Sequence, residues 1–187
     1  MPYTVTGAPA TEPLSTAEAK THLNVTTSDD DTYIGTLIVA AREYVQNRIR
    51  RSLITQTIAA YFDRFDGCFE LERGPVQSIT SISYVDTNGD TQVLASSVYQ
   101  ADLVTVPARI VEAYQQTWPG TRDQLNAVTI TYVAGYGAAA AVPQPIKQAM
   151  LLYLAHLYEN RESVIVGTIV ADAPQSVDAL LSPYRVW

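Results

Sequence analysis

The sequence predicts an α+β fold in which a helical bundle core packs with a small antiparallel β-sheet or β-arm. Three observations predict it. Residues 26–51 carry an amphipathic run of helical period. Residues 53–134 hold short segments rich in Ile, Val, Thr and Tyr. A strongly apolar helical run then ends near residue 160. A length of 187 residues suits a single domain with room for a sizeable core.

Taken in order, residues 1–13 are rich in Pro, Thr and Ala and are expected to form a flexible arm. The stretch LSTAEAKTHL starts a helix. Ser15 stands three residues before Glu18, the spacing of a capping box, and the helix should stop near Asn24. In the next run Ile34, Leu37, Ile38, Ala41, Val45 and Ile49 share one helical face. Asp29, Asp30 and Asp31 stand at its start and Arg48, Arg50 and Arg51 at its end, both matched to the helix dipole. In the β-rich region 53–134, Asn88-Gly89 marks a hairpin turn and Gly74-Pro75 a break. Residues 107–126 mix Pro, Gly and polar groups and are expected to be an extended loop. In PQPIKQAMLLYLAHLYENRES, Pro145 suits a first helical turn, and a helix of about 16 residues would be about 24 Å long. VIVGTIVADAPQ is expected to be a loop or short extended piece. SVDALLSPYRVW should be a short helix stopped at Pro183, within a C-terminal segment 176–187.

Composition excludes several classes. A net charge of −7 gives no general attraction to nucleic acid. Cys68 is the one cysteine, so no internal disulfide can form. The first residues lack a basic and then apolar leader pattern, and no apolar run approaches the roughly 18 residues of a membrane helix. These features point to synthesis in the cytoplasm and no membrane partner.

The candidate chemistry is sparse. Asp29–Asp31 lack the spaced oxygens, central Gly and distal Glu of a calcium loop. His22 and His156 have no second ligand at zinc spacing, so neither metal nor cofactor is expected. Cys68 has no flanking cation to activate it. Gly135-Tyr136-Gly137 lacks the Lys of a phosphate loop. Arg42, Arg48, Arg50 and Arg51 are the main basic concentration, four of twelve Lys and Arg. Arg48, Arg50 and Arg51 are candidates for contact with DNA or a partner, against a solvated helix end or pairing with acidic neighbours. Glu159 and Glu162 share a helical face and would be the carboxylates of a small hydrolase, but no second cluster in the sequence builds a cleft around them.

The helix before them is more telling. Ile146, Met150, Tyr153, Leu154 and Leu157 make one face, while Ala149, Leu151, Leu152 and Ala155 cover most of the rest. A helix apolar nearly all round needs burial on more than one side. Each Leu buried is worth roughly 1.5–3 kcal/mol. The second side then needs another element or another subunit. Leu151, Leu152, His156, Glu159, Arg161 and Glu162 are assigned to a contact between subunits, with the charges fixing register or pairing across it.

The ordered set LSTAEAKTHL, DDDTYIGTLIVAAREYVQNRIRRSLITQT, GPVQSITSISYVD, NGD, VTITYVAGYG, VPQPIKQAMLLYLAHLYENRE and ALLSPYR, over residues 14–185, resembles the head–tail connector proteins of long-tailed phages, related prophages and gene transfer agents. These are also called head-completion or DNA-packaging adaptor proteins. The resemblance implies packed helices beside a small sheet, with neither catalysis nor cofactor. It implies a homo-oligomeric ring, generally of twelve subunits, docked under the portal protein at the head–tail interface of the virion. The ring joins the portal to a tail or stopper protein, and DNA passes through without sequence-specific binding. A tail-completion or stopper role in the same particle is the neighbouring alternative. The family's C-terminal segment reaches the portal, which implies contact through Leu180, Leu181, Tyr184 and Arg185. Trp187 lies just beyond the matched motif and joins them as an aromatic anchor typical of interfaces.

Overall fold

The computed structural model describes residues 1–160 and 175–186. Its elements belong to two compact units, one made of Met1–Ala10 with Thr55–Tyr136, the other of Thr11–Ile54 with Gly137–Trp187.

The first unit holds eight strands: β1 (Tyr3–Gly7), β2 (Gln56–Phe62), β3 (Cys68–Leu71), β4 (Val76–Val85), β5 (Thr91–Val93), β6 (Tyr99–Asp102), β7 (Ala108–Glu112) and β8 (Val128–Ala134). One antiparallel sheet runs β1-β2-β8-β4-β5 and a second runs β3-β7-β6. Strand period explains the core. In β8, Val128, Ile130, Tyr132 and Ala134 are buried while Thr129, Thr131 and Val133 are only partly covered. They join Ile58, Ala60, Phe69, Leu71, Val76, Ile82, Leu94, Ala108 and Ile110 in one apolar cluster drawn from both sheets. Aromatic rings close its end: Phe62 meets Phe69 edge-on at 4.6 Å and Phe65 stacks on Trp118 at 5.0 Å. The one buried phenol, Tyr132, donates to the Glu72 carbonyl at 2.6 Å, so its polar end is satisfied.

Asn88-Gly89 lies in the β4–β5 turn. The Asp86 carboxylate accepts from the Asn88 and Asp90 amides at 2.9 and 3.0 Å and from Gln92 Nε2 at 3.0 Å. Gly89 has φ +98°, a backbone conformation that side-chain-bearing residues rarely adopt, so the turn needs glycine; the Arg122 guanidinium, 2.6 Å from where a Cβ would lie, is free to swing aside.

The second unit is helical. Helix α1 spans Thr16–Leu23, with the Ser15–Glu18 capping box formed and Asn24 closing it in the left-handed conformation. Helix α2 spans Asp31–Ile49 and buries Ile34, Leu37, Ile38, Ala41, Val45 and Ile49, the face its period marks. Asp30 makes no side-chain cap bond. Its carboxylate accepts the Tyr158 hydroxyl, and Asp31 pairs with Lys20 at 2.6 Å. Helix α3 spans Gln144–Glu159 and buries Ile146, Lys147, Ala149, Met150 and Leu154; α4 spans Gln175–Leu181 and buries Val177 and Leu181. A 3₁₀ turn, Ser182–Tyr184, follows.

The expected helical bundle core with a small sheet is corrected. The class is α+β, but eight strands in two sheets carry a core of their own. The strands hide it in the sequence: β2, β4 and β8 each bury only two to four residues, and Thr, Ser and Gln stand among the others. Two further segments also differ. Residues 3–7, expected in a flexible arm, pair with β2, with Tyr3 opposite Ala60. The expected loop 107–126 begins with β7, and its Trp118 packs against the sheet core. Residues 161–174, including most of the expected loop or extended piece, and Trp187 lie outside the described residues.

Candidate interaction surfaces

The helix period of α3 turns Leu154 wholly inward and leaves Leu151, Leu152 and His156 half-buried on its flanks. Tyr153 stacks on Tyr44 of α2, ring centroids 4.0 Å apart, and Tyr158 meets Tyr33 at 6.1 Å. These contacts hold α3 against α2 and leave an apolar stripe incompletely covered. Leu151 also lines a groove of about 470 Å³ between α1 and α3, with Leu14, Ala17, Thr21 and His22. In its wall the nearly buried Lys147 ammonium lies 3.7 Å from Glu18. The Ser15 backbone and side-chain bonds hold the Glu18 carboxyl below its usual range, with Lys147 adding to the effect.

The His156 carbonyl accepts from the Asn160 amide at 3.1 Å and from its side chain at 2.8 Å, which ends the helix. Glu159 is exposed there. Arg161 and Glu162 lie outside the described residues, so the described structure does not assemble the carboxylate pair. Among the described residues no group of His, Cys, Asp and Glu could hold a metal ion. No helix among them is long and apolar enough to cross a membrane.

The second surface forms where α2 ends. Arg48 makes a two-pronged bond to Asp178 of α4, Nε to Oδ1 at 2.7 Å and Nη2 to Oδ2 at 2.6 Å. That bond holds the Asp178 carboxyl below its usual range and raises the Arg48 guanidinium. Arg51 Nε donates to the Tyr184 carbonyl, and the Val186 amide donates to the Ile49 carbonyl at 3.1 Å. A cleft of about 260 Å³ lies here, lined by Arg48, Ile49, Asp178, Leu181, Ser182 and Arg185.

Two residue sets that the sequence keeps apart, Arg48–Arg51 and Leu180–Arg185, thus form one patch. Arg48 and Arg51 are engaged by their own chain, while Arg50 is exposed. Leu181 is 2% exposed and lies in the floor of the helical packing, although it also lines the cleft. Leu180 and Tyr184 are half-buried and Arg185 is exposed. Sequence reasoning missed Asp178 and Ser182. Asp178 is 130 positions from its arginine, and no local pattern announces such a pair.

A family model described as "Phage gp6-like head-tail connector protein" matches residues 15–115, just over half of the chain. No curated protein matches. Among solved structures, a chain from "Neck of empty GTA particle computed with C6 symmetry" is similar, with TM-score 0.80 and 23% identity over 100% of this chain and 96% of that one. A chain from "Virion of native gene transfer agent (GTA) particle" has TM-score 0.79 and 24% identity over the same shares. One from "Neck of native GTA particle computed with C12 symmetry" has TM-score 0.79 and 23% identity, again over 100% and 96%. At these identities the likeness is one of fold.

Proposed function

Because the chain belongs to the phage gp6-like head–tail connector family, we infer that it is a structural neck component whose copies close into a ring beneath the portal protein, join it to the tail or a stopper protein, and surround the path of DNA. The family match carries this reading, since residues 15–115 draw on both units. The fold it shares with chains of necks treated with C6 and C12 symmetry supports a ring, and by that likeness one of twelve.

The surfaces suit the role. The incompletely covered stripe of α3, with Leu151, Leu152 and His156, serves contact between subunits. Leu180, Tyr184 and Arg185 on the uncovered side of the C-terminal segment serve the portal. A net charge of −7 favours a duplex that slides through without sticking. None of these tasks calls for catalysis.

The test is to image the purified chain with and without its portal. A ring at the portal's narrow end is the expected result. A portal left bare at saturating protein, or a ring attached only to an already assembled tail, would overturn the reading.

A further inference from the structure

We propose that, in the ring inferred above and resting on that reading, the arginine-bearing end of the helical unit of one copy docks on the acidic outer face of the three-stranded sheet of the next copy. A closed ring of more than two copies cannot use one patch against itself. Its contact is heterologous, so each copy must carry two different and complementary surfaces. Charge singles out such a pair on this chain.

Residues 1–10 and 55–136, the sheet unit, carry nine Asp and Glu against four Arg. The end of α2 gathers Arg48, Arg50 and Arg51 against Asp178 of the C-terminal segment. A chain of net charge −7 repels its copies over most of its surface. Contact of this basic end with an acidic unit is the arrangement that reverses the sign locally.

Both surfaces are built for the purpose. On the basic side, Arg48 and Arg51 are held by Asp178 and the Tyr184 carbonyl, so little side-chain freedom is left to lose on docking. Arg50, at the left-handed cap of α2, is exposed beside them. On the acidic side, strand register aligns Glu70, Arg109 and Asp102 across β3, β7 and β6. Arg109 bonds Asp102 at 2.7 Å, and Glu70 is exposed on the other side of it. Asp66, in the turn before β3, is exposed as well. The same face carries a concavity of about 440 Å³ lined by Cys68, Gln100, Ala101, Asp102, Arg109 and Val111, which offers some apolar area to accompany the charges. A DNA phosphate is the weaker occupant for the basic end, because Arg48 already has its carboxylate and the rest of the chain repels a polyanion.

The experiment is a charge swap read on the full chain assembled on portal rings. Ring occupancy is counted in electron micrographs, and each variant is first checked for an unchanged melting curve. Arg50→Glu alone and Glu70→Arg alone should each lower occupancy by about threefold or more at low salt, and the two together should restore it. If either single variant forms rings as the parent does, or the pair fails to restore what each loses, the contact assigned here is wrong while the ring itself stands. If Arg50→Glu changes only retention of duplex DNA, the patch faces the channel and the proposal falls. A parent chain that forms no ring on the portal removes this proposal together with the reading beneath it.

Discussion

Ser15 and Glu18 satisfy each other's backbone amides at 3.2 and 2.7 Å, three positions apart, and this bond set is readable from sequence because it is local. Ser15→Ala should cost about 1 kcal/mol in denaturant unfolding. It should also change the acid response. Glu18 has a depressed pKa in the folded chain, so its contribution is full above its unfolded value of about 4.3 and is lost as pH falls through the lower folded value. The parent should lose stability in that acid window, and the Ser15→Ala curve should be flatter there. Tyr132 is a non-local case. Its phenol is wholly buried, and burial pushes its pKa above the usual range. Tyr132→Phe strands the Glu72 carbonyl and should cost about 1–3 kcal/mol by chemical denaturation. Nothing in the sequence near Tyr132 names that carbonyl, just as nothing near Arg48 names Asp178.

At the scale of elements, legibility followed length and period. The 19 residues of α2 repeat their apolar face often enough that its apolar inward positions are evident, while the buried Arg42 and Gln46 are not. Most strands are visible as strands, but β1 falls in the expected arm and β7 in the expected loop, and β3, β5 and β6 have only four, three and four residues. Sheet membership and strand order depend on pairings between distant segments, such as β1 with β2, so the weight of the sheet core was missed. The flanks of α3 now separate packing from contact. Leu154→Ala empties a fully buried site and should cost about 2–5 kcal/mol in a thermal or denaturant melt. Leu152→Glu, at a half-buried position, should cost about 1 kcal/mol or less yet abolish ring formation on the portal. A Leu152→Glu chain that assembles normally would free that flank from the ring contact.

For the whole molecule, physics in the sequence excluded more than it specified. Charge, a single cysteine and sparse chemistry pointed away from enzymes and nucleic-acid readers, while the ordered family motifs supplied the connector role. What no local pattern could supply is the meeting of α2's end with the C-terminal segment, because it requires the chain to return after more than a hundred residues. The Arg48–Asp178 pair at that junction is exposed on both sides, 40% and 47%. Arg48→Ala should therefore lower stability only slightly, and by less in high salt, as melting curves across ionic strength would record.

The chain builds neither unit in one piece. Its first ten residues belong with 55–136, and 11–54 belong with 137 onward. During synthesis, β1 emerges long before β2 can receive it, and α2 emerges before α3 and α4 exist. The sheet core can therefore shut only once residue 136 has emerged, and the helical core only once α3 and α4 have followed. Until then the nascent chain carries bare strand edges and an unmatched helical face, which makes it a natural client for chaperones and delays assembly-competent copies until α4 is made.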